Sequence, residues 1–269
     1  MSKFFVYRAL TWGWHRLSSW NTGGEGIHSP SLFYIVRFLF PRQYCYYCWS
    51  EIENLRDQLL RTTDRLPITD YGTGTQTSLP VYKIAQNHLE RPEVGQLFFK
   101  LIVHLRHELQ RDLNIVELGT SLGLTTAYLA APHPKNKVTT YEGNPETLRI
   151  AQRNWERLRL QNITPILGNI DHTLLNNARE EKTAEPTDFI FMDANHRQEP
   201  TLRYFHHFLE HLHEHSIVVI DDIYHSPEMT QAWKQICALP QVTSSIDCYH
   251  FGILFFDPHL LKRHYRIRL

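Results

Sequence analysis

From about residue 113 onward, short apolar and β-branched runs alternate with stretches whose apolar residues recur at helical spacing. The runs at 113–118, 137–142, 163–168, 187–192 and 216–221 predict strands, and 122–131, 145–161, 174–181 and 201–215 predict the helices between them. Pro145 opens the second of these helices, where its missing N–H costs nothing. Regular alternation of this kind predicts a parallel sheet wound by helices. After a helix at 227–239 come two more runs, 242–249 and 253–257, joined only by His250-Phe251-Gly252. So short a link makes them antiparallel neighbours, because a parallel return needs a crossover of about a dozen residues.

The first 90 residues follow a different pattern. Helical spacing is present at 4–17 and at 50–62, the latter through Ile52, Leu55 and Leu59, and Ser29-Pro30 reads as cap and first turn of a helix to residue 40. The organisation expected is a helical N-terminal extension or lid over 1–91 and a main domain over 92–269. The aromatic residues of the extension (Trp12, Trp14, Trp20, Tyr44, Tyr46, Tyr47, Trp49) are expected to pack mainly against the main domain.

Composition narrows the picture. A chain of 269 residues with 42% hydrophobic and 21% charged residues is an ordinary globular sequence, which excludes collagen-like and wholly disordered classes. Twenty-eight basic residues balance 28 acidic ones, so no whole-molecule field gathers phosphate backbones, and nucleic acid is not an expected partner. Four cysteines, Cys45, Cys48, Cys237 and Cys248, lack the spacing of a zinc module and read as reduced thiols. No stretch approaches the ~20 apolar residues of a membrane span, and Arg8 interrupts the first apolar run before it could serve as a signal core. A cytoplasmic protein is expected. The basic segment at 262–268 reads as a solvated tail, and most of His206, His207, His211, His213 and His215 as the exposed face of one helix.

Two glycine-rich segments compete for a cofactor-binding role. Glu117-Leu-Gly119-Thr120-Ser121-Leu-Gly123 follows an apolar strand and opens a helix, whereas Asp70-Tyr-Gly72-Thr-Gly74 does neither and reads as a loop or flap. An acid to hold ribose hydroxyls is also wanted at the end of the next strand, ~20 residues on. Glu142 lies there, 25 positions after Glu117. The position where a dinucleotide turn carries its second glycine is Ser121, and the carboxylate of Glu117 would repel a pyrophosphate. S-adenosylmethionine offers an ammonium, a sulfonium and no phosphate, so charge logic favours it over NAD.

From about residue 113 to 257 the chain resembles class I S-adenosylmethionine-dependent methyltransferases. The matching segments are Val116-Glu-Leu-Gly-Thr-Ser-Leu-Gly123, Tyr141-Glu-Gly143, Gly168-Asn-Ile-Asp171, Asp188-Phe-Ile-Phe-Met-Asp193 and Val219-Ile-Asp-Asp222. The resemblance implies a Rossmann-like α/β fold, with a seven-stranded sheet whose last strand is antiparallel. It assigns Glu117 and Gly119, within the turn that also holds Thr120, Ser121 and Gly123, to the methionine end. Glu142, followed by Gly143, goes to the ribose and Asn169-Ile170 to the adenine. Gly26-Ile-His-Ser-Pro30 resembles the opening of bacterial methyltransferase-like chains of unassigned substrate.

Three acids end neighbouring predicted strands, where open α/β sheets bind ligands: Asp193 on one, Asp221 and Asp222 on the next. Converging carboxylates need a cation, and Mg²⁺ suits all-oxygen ligation. This set is similar to the metal site of catechol and caffeoyl-coenzyme A O-methyltransferases, with Asp222 in place of an Asn. The lysine base of that branch corresponds to His196, which can accept a hydroxyl proton near neutral pH. Asp193, placed beside the cofactor as well as the metal, and His196 are therefore the candidate catalytic residues, and Asn195 could support either role. The expected activity is O-methylation of a small-molecule hydroxyl, with the extension, His28 included, helping to shape the acceptor pocket. The alternatives are a metal-independent methyltransferase acting on nitrogen, protein or RNA, an NAD-dependent dehydrogenase, or a non-catalytic scaffold of the same fold.

Overall fold

The computed structural model describes residues 4–19, 23–24, 26–41, 45–69, 76–174 and 185–268. The glycine-rich loop Asp70-Tyr-Gly72-Thr-Gly74, most of the helix expected at 174–181, and Trp20 and Tyr44 lie outside those residues. The chain divides into two compact units, Arg42–Ala184 on one side and Met1–Pro41 with Glu185–Leu269 on the other. Residues 1–91 are therefore shared between the two units.

In the unit Arg42–Ala184, strands β3 (Asn114–Leu118), β4 (Lys137–Glu142) and β5 (Ile163–Leu167) are parallel neighbours in that order. The register sets Glu117 opposite Thr140. Helices α6 (Leu124–Ala130) and α7 (Pro145–Arg157) follow β3 and β4, as the alternation predicts. Asn144 caps α7 by accepting from the backbone N–H groups of Glu146 and Thr147 at 3.0 and 3.1 Å. The first three helical segments are α1 (Phe5–Ser18), α2 (Pro30–Tyr34, continued as a π-helical turn over Ile35–Leu39) and α3 (Tyr47–Leu59). Helix α3 buries Trp49, Ile52, Leu55 and Leu59 in a core shared with Leu124, Tyr128 and Trp155. Three elements were not expected: an antiparallel hairpin of β1 (Arg65–Thr69) and β2 (Gln76–Pro80), helix α4 (Val81–His88) and helix α5 (Pro92–Leu109).

In the other unit the strand order is β10-β8-β9-β7-β6. Strands β6 (Phe189–Met192) and β7 (Ile217–Asp221) are parallel and buried along their whole length. The predicted hairpin forms from β8 (Ser244–Asp247) and β9 (Phe251–Phe255), with β9 antiparallel to both β7 and β8. Helices α8 (Gln198–Leu209) and α9 (Pro227–Ala238) complete the unit.

The solvated tail expected at 262–268 is corrected by an eighth strand of the main sheet type, beyond the seven expected. Strand β10 (Arg263–Arg266) pairs parallel with β8. The reason is a period of two hidden among the charges: Tyr265 and Ile267 are buried, while His264 and Arg268 are exposed and Arg266 is half-buried.

Helix α1 docks on this unit through polar contacts. The Tyr7 hydroxyl donates to Thr230 Oγ1 at 2.7 Å, the Tyr249 hydroxyl donates to the Arg8 carbonyl at 2.6 Å, and His15 Nε2 lies 3.1 Å from Asp247 Oδ1. Trp49 of the aromatic set is buried, but Trp12, Trp14 and Tyr47 are exposed, so the expected packing is corrected at those three.

Gly123 is closely packed in the turn after β3. Its φ is +79°, and an added Cβ would lie 2.6 Å from Trp155 Nε1 and 2.7 Å from Ala151 Cβ. Strain at positive φ together with overpacking predicts that Gly123→Ala lowers stability by about 2–4 kcal/mol, measured by chemical denaturation. An unchanged midpoint would remove this account of the glycine.

Candidate active site

The strand β3 places Glu117 in the middle of an apolar core, where it is fully buried. One carboxylate oxygen, Oε2, accepts from the Thr126 hydroxyl at 2.5 Å and from the Thr140 hydroxyl at 2.6 Å. Thr140 Oγ1 also lies 2.6 Å from Thr120 Oγ1, so three threonines hold one edge of the acid. The other oxygen, Oε1, is buried with no hydrogen-bond partner. Burial pushes the carboxyl up to about 8, against the lowering effect of the two threonine hydroxyls. A buried acid with one satisfied and one orphaned oxygen fits a cationic donor such as an ammonium.

The turn after β3 is shaped by its backbone. Gly119 has φ +102° and Ser121 φ +49°, and the N–H groups of Gly119 and Thr120 both donate to the Tyr141 carbonyl. Glu142, at the end of β4, accepts from the Ser121 N–H on one oxygen and from the Asn144 N–H on the other, both at 2.8 Å. Burial raises its pKa, opposed by those backbone hydrogen bonds. The turn and the acid at the next strand end are thus one hydrogen-bonded assembly, with Gly143 half-buried beside them. Asn169 starts a helical turn, its side chain accepting from the Asp171 N–H at 3.0 Å, and Ile170 follows half-buried.

Sequence reasoning missed the residues that brace this turn. Thr126 and Thr140 grip Glu117, while Asn154 donates to the Leu122 carbonyl at 2.9 Å and Trp155 to the Gly123 carbonyl at 2.8 Å. The available signal was polar residues on apolar elements, Thr140 in β4 above all.

The unit that holds β6 and β7 carries the acid cluster. Asp193, His196 and Asp221 each offer a donor atom within 4.8 Å of the other two. His196 Nε2 is 3.5 Å from Asp193 Oδ1. The expected third acid, Asp222, is not part of that group. It has φ +52°, and its carboxylate pairs with His225 Nδ1 at 3.2 Å. Burial would raise the Asp222 pKa, but the His225 hydrogen bond and the charges of His196, His225 and Arg8 hold it below the usual carboxylate range. His225 in turn stacks on His196 with ring centroids 5.5 Å apart. Asn195, at φ +55°, donates to the Tyr204 hydroxyl at 3.4 Å. His28 is exposed. In the histidine run, His213 pairs with the buried Asp188 at 2.8 Å, while His206 and His215 are exposed.

A cavity of about 530 Å³ lies in the same unit, lined by Tyr7, Trp14, Tyr224, Trp233, Asp247 and Arg266 among others. None of Asp193, His196 and Asp221 lines it.

Residues 116–223 match a family model described as Methyltransferase domain. Over 122 residues the chain is 32% identical to a catechol O-methyltransferase of Niastella koreensis, which covers 45% of this chain and 54% of that protein. The chain thus spans about half the length of the curated relative it matches. Among solved structures, an O-methyltransferase from Bacillus cereus in complex with SAH superposes with a TM-score of 0.53 at 19% identity, covering 82% of this chain and 95% of that one. The O-methyltransferase TomG from Streptomyces achromogenes, in complex with SAM, gives a TM-score of 0.51 at 19% identity, covering 71% and 92%. The fold is the Rossmann-like α/β fold of methyltransferases, and the chain resembles the class I S-adenosylmethionine-dependent O-methyltransferases.

The ionisation of Glu117 makes a stability prediction for the cofactor-free protein. Its folded pKa of about 8 lies above its ordinary value of 4.5, so between those limits the native state binds more protons than the unfolded chain. Stability contributed by this group therefore falls as pH rises from about 4.5 to 8 and is level above that. Glu117→Gln is expected to gain stability relative to the parent across this window, in thermal melts at a series of pH values. A constant offset at every pH would contradict the buried-acid assignment.

Proposed function

We propose that the chain is an S-adenosylmethionine-dependent O-methyltransferase acting on a small-molecule hydroxyl, with His196 as the base and a divalent cation held by the carboxylates of Asp193 and Asp221. The observation that carries the reading is the orphaned, fully buried Oε1 of Glu117, in a turn that already holds a second acid. Glu117 would take the ammonium of the methyl donor, Glu142 the ribose hydroxyls, and the segment at Asn169-Ile170 the adenine. Bound donor supplies an electrophilic methyl group on a sulfonium. The protein's task is then alignment and removal of the acceptor proton.

His196 is suited to that proton transfer. Asp193 lies 3.5 Å from its Nε2 and orients the ring, while the stacked His225 restricts its rotation. The carboxylates of Asp193 and Asp221, with ligand atoms within 4.8 Å of one another, also fit a divalent ion, which would hold the acceptor oxygen and lower its pKa. The similarity to a catechol O-methyltransferase supports a small acceptor.

Calorimetry with S-adenosylhomocysteine tests the donor assignment. Binding should weaken at least about tenfold in Glu117→Gln, and NAD should not bind the parent protein, since loss of one charged hydrogen bond costs about 1.5–3 kcal/mol. Equal affinity in both proteins would sink it. The base assignment has its own check: His196→Ala should lower kcat by about a hundredfold with donor affinity unchanged, and His196→Lys should restore part of the loss with its pH optimum moved upward. Turnover insensitive to chelator would instead select the metal-independent reading.

A further inference from the structure

Helix α1 is the wrong way round for a surface helix in water. Its protein-facing side carries Tyr7, Thr11 and His15, which are held by polar contacts to Thr230, Tyr249 and Asp247. Its outward side carries Val6, Leu10 and Leu17, at 68%, 69% and 90% exposure and in register with the helical repeat, with Phe5 and Trp12 beside them. Amphipathic helices normally bury the apolar stripe and expose the polar one. Nine of the twelve exposed large hydrophobic residues of the described chain fall between residues 5 and 38, so the feature is local rather than scattered.

Charge decides what covers this face. Residues 1–41 contain Lys3, Arg8, Arg16 and Arg37 against the single acid Glu25, whereas the whole chain is neutral; of these, Arg8 acts on Asp222, and Arg16 and Arg37 lie beside the exposed apolar side chains. Arg16 borders the apolar stripe with its guanidinium 5.4 Å from the Trp12 ring, and a second exposed cluster, Phe33, Tyr34 and Phe38, surrounds Arg37. A second copy of the chain would bring two such basic faces together and repel. An anionic lipid surface complements both the charge and the apolar stripe, and indole rings favour the boundary between headgroups and acyl chains. We propose that the outer face of α1 binds peripherally to anionic membranes, lying in the interface plane with Val6, Leu10 and Leu17 inserted. This inference does not depend on the catalytic reading.

The test is sedimentation of the full chain with phosphatidylcholine vesicles, with and without about 30% phosphatidylglycerol, alongside gel filtration. The expected result is binding to the anionic vesicles, a blue shift of tryptophan emission, and partition at least about tenfold weaker for Leu10→Glu/Leu17→Glu. Neither side chain packs in the core, so that variant should keep the parent melting temperature, and Leu17→Gln gives a milder second variant if it does not. The proposal is overturned if anionic vesicles bring down no protein, or if the variants bind them as well as the parent. It is equally overturned if the parent is a dimer that the substitutions convert to monomer, which would assign the face to a second copy.

Discussion

One buried carboxylate organises the cofactor half of this protein. Glu117 lies fully buried in a parallel strand, and an acid there costs several kcal/mol unless its oxygens are satisfied. The register of β3 against β4 sets Thr140 opposite it, and the first turn of α6 brings Thr126 to the same oxygen. Those two hydroxyls account for Oε2 and leave Oε1 without a partner. The glycine turn beside it is held by the Trp155 hydrogen bond to Gly123 and by the backbone N–H of Ser121 on Glu142.

The acid and histidine cluster obeys a different constraint. Strands β6 and β7 are buried from end to end, so their first polar side chains emerge only where the strands stop. Asp193, Asp221 and Asp222 follow from that placement. Local backbone geometry then separates the last two: Asp222 adopts a left-handed conformation and pairs with His225, leaving Asp221 grouped with Asp193 and His196. A histidine therefore stands within coordinating distance where a chain of three acids was expected.

The strand alternation after residue 113 was legible because each run is short, β-branched and bounded by turn residues. The β8–β9 hairpin was legible because three residues leave no room for a crossover. Helix α5 escaped notice because Val94, Leu97, Phe98, Phe99, Leu101 and Ile102 are all buried, so it has no continuous polar side to give a period. Strand β10 was hidden by its arginines and histidine. The threonine grip on Glu117 depends on strand register, which spacing along the chain does not encode. For α1, periodicity predicted an amphipathic helix but could not say which side faces the protein. That choice was made by hydrogen-bonding partners on β8, α9 and the β8–β9 loop.

Proton linkage tests the account most directly. With a folded pKa of about 8, Glu117 is protonated in the free protein at pH 6.5 and should be ionised by a bound ammonium. Calorimetric binding of S-adenosylmethionine at pH 6.5, repeated in buffers of different ionisation enthalpy, should report release of close to one proton per cofactor, and none in Glu117→Gln. Binding with no buffer dependence in the parent protein would contradict the claim that this carboxyl waits uncharged for its partner.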